Sequence, residues 1–154
     1  MAKLTHLDIP DYPSFVTTKT ASGKEVFSSS ESAEVLLDTL IYGKDKGWYK
    51  LISFVVMPDH LHLILVPEDR SLSDIIQSIK GFSAKKINTK LERKGPVWES
   101  GYYDYLLDSR EKLKARIRYI RENPVREGLV DDSRDYPFSG VNYEDELDWG
   151  EYLP

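Results

Sequence analysis

The chain has 154 residues, of which 40% are hydrophobic and 31% charged, with 21 basic and 26 acidic side chains and no cysteine. That length and balance suit one globular domain spanning 1–154 with a single sizeable core, and the missing thiols exclude disulfide frameworks, zinc ribbons and cysteine nucleophiles. No apolar run is long enough to cross a bilayer, and the N-terminus lacks the basic and apolar build of a signal peptide, so a cytoplasmic protein without a membrane partner is expected.

The net charge of −5 is unevenly spread, with −4 over residues 1–69, +7 over residues 70–126 and −8 over residues 127–154. An acidic tail from about residue 131 thus masks a basic middle. A local basic surplus is what a phosphate backbone requires, although a solvated helical face gives the same count.

In chain order, the β-branched run Ser14 to Thr20 predicts a first strand. Ser28 to Glu31 fits a capping box, and Val35, Leu36, Leu37, Leu40 and Ile41 form the apolar stripe of a helix ending near Gly43. Trp48 to Val56 and His60 to Val66 read as an antiparallel hairpin turning at Pro58-Asp59. Ser71 and Asp74 open a second helix, with Ile75, Ile76, Ile79 and Phe82 inward and Lys80, Lys85, Lys86 and Lys90 outward.

Past Gly95-Pro96, the aromatic run Val97 to Leu107 suits a fourth strand with a bulge at Gly101. Asp108 or Ser109 caps a third helix lined by Leu113, Ile117 and Ile120, and Asn123-Pro124 is expected to end it, because proline disfavours helical geometry in the residue before it. Tyr136, Pro137 and Phe138 are expected to plug the core. The order β-α-β-β-α-β is a ferredoxin-like α+β arrangement: an antiparallel sheet with two helices on one face and an added C-terminal helix.

Side chains two apart on a strand share a face, so His60 and His62 lie side by side while Leu61, Leu63 and Leu65 take the other. Such a pair is a bidentate site for a divalent cation, or else two satisfied core imidazoles. Lys112, Arg116, Tyr119 and Asn123 share one face of the third helix by their spacing. Beside a bound ion, the Tyr119 phenol is a candidate nucleophile toward a phosphodiester, with Arg116 steadying the charge and the Asn123 amide oxygen as a third ligand. An ordinary phenol costs about 4 kcal/mol to ionise at neutral pH, so neighbouring cations must offset that. The bland alternative makes Tyr119 a residue at the edge of the core. His6, near the N-terminus, reads as surface.

The phrases Met57-Pro58-Asp59-His60-Leu61-His62, Lys80-Gly81-Phe82, Val97-Trp98-Glu99-Ser100-Gly101-Tyr102-Tyr103-Asp104 and Tyr119-Ile120-Arg121-Glu122-Asn123-Pro124-Val125-Arg126-Glu127-Gly128-Leu129-Val130 closely resemble the REP-associated tyrosine transposases, within the HUH single-tyrosine nucleases. The resemblance runs from about Ser14 to Phe138. It implies a ferredoxin-like nuclease on single-stranded DNA, using magnesium or manganese, that cuts beside hairpins of repetitive extragenic palindromes and leaves a 5′-phosphotyrosine and a free 3′-hydroxyl. By motif, His60 and His62 are the metal pair, Tyr119 the nucleophile and Asn123 the further ligand. The chain departs from the pattern in having Asp59 where asparagine is frequent, and in its acidity.

Candidate DNA contacts are Lys80, Lys85, Lys86, Arg93, Arg116, Arg118, Arg121 and Arg126, with Trp98 as a base-stacking platform; each has a surface or core alternative. The partner expected is single-stranded DNA carrying a hairpin, bound by a monomer or homodimer. Rival readings are a hairpin-binding protein without catalysis, and a metal hydrolase using the two histidines with Asp59 or Asp104. The acidic residues 127–154 are expected to fold over the basic helices and compete with DNA phosphates.

Overall fold

A computed structural model describes residues 12–148; the expectation for His6 falls outside them. Four strands, β1 (Ser14–Lys19), β2 (Tyr49–Met57), β3 (His60–Pro67) and β4 (Tyr103–Leu106), form one antiparallel sheet in the order β2-β3-β1-β4. Helices α1 (Ser30–Asp45) and α2 (Leu72–Lys90) cover one face, over Val16, Leu61, Leu63 and Leu65. Helix α3 (Arg110–Arg126) packs on the other, through Leu113 and Ile120 against Phe15, Ile52, Val55, Ile64 and Val66. This is the expected ferredoxin-like α+β fold with an added helix.

Several expectations need correction. Ser29, not Ser28, caps α1 by accepting the Ser32 amide. Gly43 lies inside that helix, at a position where a Cβ would sit 2.6 Å from the Tyr49 hydroxyl, and the turn comes at Gly47, where φ is +78°. Ser71 caps α2 as expected. Phe82, however, is 49% exposed, and Ser83 takes the core position, where its hydroxyl accepts the Trp98 indole N–H.

The fourth strand is shorter than its sequence suggests. Trp98 makes only an isolated bridge to Thr20, and the chain turns at Gly101 (φ +79°) before β4 begins. Ser109 caps α3, which continues through Pro124 instead of ending before it. Proline there forgoes one helical bond, and the helix closes a turn later, where Gly128 (φ +75°) and Leu129 return their N–H groups to the Val125 and Pro124 carbonyls. Asn123 is therefore held within a helix, buried, instead of fraying at its end.

In the described residues the acidic tail borders α3, beside Arg118 and Arg121. It runs along the outer edge of β2: the Val56 N–H donates to the Phe138 carbonyl, Val55 bridges Ser139, and Asp148 bonds both the N–H and C=O of Leu51. Tyr136 plugs the core as expected, its hydroxyl donating to the Val56 carbonyl.

Candidate active site

Alternation along β3 turns His60 and His62 toward α3, with ring centroids 4.6 Å apart. The Nδ1 of His60 lies 2.7 Å from the Asp59 carboxylate, which can only accept, so the neutral ring carries its lone pair on Nε2. The Nδ1 of His62 lies 2.8 Å from the Thr17 hydroxyl, placed opposite it by the β1–β3 register. When that nitrogen donates, Nε2 is again the nitrogen that carries the lone pair. His62 is 7% exposed, and burial, with smaller contributions from His60, Arg126 and Arg116, holds its pKa down at about 3. It is thus a neutral imidazole near pH 7.

Tyr119 extends from α3 with its ring centroid 5.6 Å from that of His62 and 6.3 Å from that of Phe15. Two guanidinium groups flank the phenol ring, Arg126 at 4.2 Å and Arg116 at 5.2 Å from its centroid. Arg126 also donates to the Tyr119 carbonyl at 2.8 Å, while Arg116 lies 4.7 Å over both Phe15 and Tyr105. The ring is held between cations, yet Tyr119 stays 38% exposed and open to a substrate.

One turn further on, the Asn123 Oδ1 is buried with no hydrogen-bond partner. An unpaired buried acceptor costs about 1–3 kcal/mol, and a cation would relieve it. Two imidazole nitrogens and an amide oxygen are donor types that together suit a divalent ion. Among the described residues no group of three His, Cys, Asp or Glu forms a metal cluster, and the Asn123 amide is a donor of another type.

The candidate DNA contacts divide between the two faces of the sheet. Arg116 and Arg126 border the phenol, whereas Arg118 and Arg121 line a groove of about 350 Å³ between α3 and tail residues Ser139, Gly140, Val141 and Leu147. Lys85 and Lys86 line a larger groove, about 820 Å³, between α1 and α2, across the sheet from the histidines. Lys80 is engaged elsewhere: its ammonium donates to the carbonyls of Glu99 and Gly101, and partial burial lowers its pKa. Arg93 is half-buried and donates to Asn88. Trp98 is 8% exposed, wedged beside Phe27 and bonded to Ser83, which corrects the expectation of a stacking platform. Sequence reasoning also missed Thr17 and Phe15, whose only signal is a strand register linking positions far apart in the chain.

The family model described as "Transposase IS200 like" matches residues 16–123, a span holding both histidines, Tyr119 and Asn123. The chain is 24% identical over 118 residues to a Haemophilus influenzae protein named as a REP-associated tyrosine transposase, covering 66% of this chain and 67% of that protein. It is 27% identical over 108 residues to the REP-associated tyrosine transposase of Escherichia coli K12, covering 69% of this chain and 62% of that one, less than two thirds of its length. Among solved structures, a REP-associated tyrosine transposase bound to a REP hairpin matches with a TM-score of 0.73 at 22% identity, over 94% of this chain and 86% of that one. A transposase-like protein of Deinococcus radiodurans R1 matches with a TM-score of 0.54 at 24% identity, over 72% of this chain and 88% of that one. At such identities the two structures speak for a shared fold.

Proposed function

Since the chain belongs to the IS200-like transposase family, we propose that it is a metal-dependent single-stranded DNA endonuclease and strand transferase that works through a 5′-phosphotyrosine linkage at REP-type hairpins. The observation that carries this reading is the phenol ring of Tyr119, 5.6 Å from that of His62 and flanked by Arg116 and Arg126.

The Tyr119 oxygen attacks phosphorus; as its O–P bond forms, the bond from phosphorus to the 3′ oxygen breaks, and that oxygen leaves and takes up a proton as a free 3′-hydroxyl. The ester energy is kept in the phosphotyrosine, so a 3′-hydroxyl can reverse the step without ATP. Arg116 and Arg126 offset the cost of phenolate formation and stabilise charge gathering on the phosphate. His60 and His62 through Nε2 and Asn123 through Oδ1 are the residues that would hold magnesium or manganese. When bound, such an ion supplies positive charge to a phosphate oxygen.

The hairpin preference is supported by the names of the two curated relatives and by the hairpin-bound structural neighbour. Arg118 and Arg121 extend the cationic surface along α3 and are assigned to flanking phosphates. The hydrolase alternative is disfavoured because the Asp59 carboxylate is engaged with the far nitrogen of His60, in a supporting position.

Incubation with labelled single-stranded hairpin oligonucleotides and manganese should give a DNA-linked band on a denaturing gel that maps to Tyr119 and vanishes in Tyr119→Phe. Cleavage that survives this substitution would point to hydrolysis. Tight hairpin binding with neither adduct nor cleavage would point to the non-catalytic reading.

A further inference from the structure

Helix α3 lies chiefly over β2 and β3, and toward the β4 edge beside it the sheet face grades from buried Phe15 through half-buried Tyr105 to exposed Tyr103. Three cross-strand rows meet there: His60 pairs with Lys19, His62 with Thr17 and then Tyr103, and Ile64 with Phe15 and then Tyr105. Paired residues in an antiparallel ladder project to the same side, so Lys19 and Tyr103 share the face of the two histidines. Two strand spacings put the Tyr103 backbone about 10 Å from that of His62.

An exposed aromatic residue is ordinary by itself, but Tyr103 is not isolated. It is 60% exposed, and its ring begins a chain of contacts: 6.1 Å to Tyr105, then 5.8 Å to Phe15, then 6.3 Å to Tyr119. Arg116 lies over three of those rings. The shelf therefore runs from exposed Tyr103 at the sheet edge, past half-buried Tyr105 and buried Phe15, to the candidate nucleophile, and Lys19, Arg116 and Arg126 make its surroundings cationic. An aromatic face beside cations matches an unpaired nucleobase and its phosphate, because every base has a flat π-surface and every linkage a negative charge. An acidic peptide would use the charges and leave the open ring unused.

Resting on the function proposed above, we infer that this shelf is a nucleotide subsite next to the scissile phosphate, where Tyr103 stacks one unpaired base and Lys19 pairs with its phosphate. Tyr103, not Trp98, is then the stacking platform of the site.

The test is equilibrium binding of single-stranded hairpin oligonucleotides to the full chain in a Tyr119→Phe background, which removes covalent capture. Replacing Tyr103 by Ala should weaken binding about 5- to 150-fold, whereas Tyr103→Phe should bind within about 2-fold of the parent. An oligonucleotide series with one abasic site moved along the strand adds a readout that a folding defect would not produce. One abasic position should weaken the parent while leaving the alanine variant unchanged. Equal affinity of the alanine variant and the parent, or abasic losses identical in both, overturns the subsite and leaves the transposase reading standing. Failure of the parent itself to bind single-stranded DNA overturns both.

Discussion

The Asp59 carboxylate sits 2.7 Å from Nδ1 of His60, the residue that follows it, and so fixes which nitrogen of that imidazole faces the site. Asp59 is thereby a positioning residue, held in turn by its carbonyl, which accepts the N–H and the hydroxyl of buried Thr20. Loss of such a support typically costs roughly 10–100-fold in metal affinity. Asp59→Ala should weaken manganese binding by roughly that factor in calorimetric titration, and Asp59→Asn by less, since its amide oxygen accepts the same hydrogen bond. An unchanged titration for Asp59→Ala would remove Asp59 from the site.

Arg126 contacts the Tyr119 ring and its carbonyl without entering the core, so Arg126→Ala should affect chemistry more than folding. Loss of a charge-stabilising donor lowers a chemical step about 100- to 1000-fold. Single-turnover cleavage of a hairpin oligonucleotide should fall accordingly, with the urea midpoint nearly unchanged. For Arg116 even lysine is a poor replacement, because a compact ammonium cannot lie flat over Phe15, Tyr105 and Tyr119 together.

The unpartnered Asn123 oxygen predicts opposite effects on stability and binding. Asn123→Leu keeps a similar volume and removes the unsatisfied acceptor, so the metal-free protein should gain on the order of 1 kcal/mol in urea unfolding. The same variant should lose measurable manganese-dependent stabilisation. A destabilised Asn123→Leu protein in the presence of chelator would show that the amide is satisfied after all.

The hairpin, the side-by-side histidines and the helix carrying Tyr119 were legible because each rests on a local period: two along β3, three to four along α3. Contacts fixed by register were not. Thr17 reaches His62 across 45 positions, and Tyr103 joins that row only through β1. Composition misled where a polar partner decided the outcome: Ser83 claims the core position expected of Phe82 because the Trp98 indole needs an acceptor, and that bond withdraws Trp98 from the surface. Pro124 misled because a local preference against helix yields to packing of the last turn, where Pro124 is buried.

Two buried tyrosines make the fold's stability sensitive to alkaline pH. Burial pushes the Tyr136 phenol up to about 12, and burial, with Asp45 adding to it, raises Tyr49 as well. Above the ordinary phenol value of 10.0 the unfolded chain has released protons that the native chain still holds, so stability falls as pH rises from about 10 toward 12. Urea melts across that window should show a decline that Tyr136→Phe makes shallower. At neutral pH the same variant should be less stable by about 0.5–1.5 kcal/mol, because it loses the hydrogen bond to the Val56 carbonyl. Parallel pH profiles for the variant and the parent would exclude Tyr136 as a source of the decline.

The tail bears on self-association through the edge it covers. It pairs with β2 while Ser139, Gly140, Val141 and Leu147 border Arg118 and Arg121 of α3, and Asp148 alone engages both backbone groups of Leu51. A bare outer edge on β2 would present unpaired N–H and C=O groups to another chain. Truncation after Gly140 removes Asp148, the Leu147 packing and the Glu146 contact with Lys44. The shortened protein should therefore lose stability and associate in a concentration-dependent way by light scattering. Asp148→Ala, which removes only the side-chain acceptor of the Leu51 N–H, should lower stability by about 1.5–3 kcal/mol while the remaining tail still covers the edge. If truncation instead leaves the oligomeric state and urea midpoint unchanged and strengthens salt-sensitive binding to single strands, the tail acts on DNA, as its charge first suggested, and not on the sheet edge.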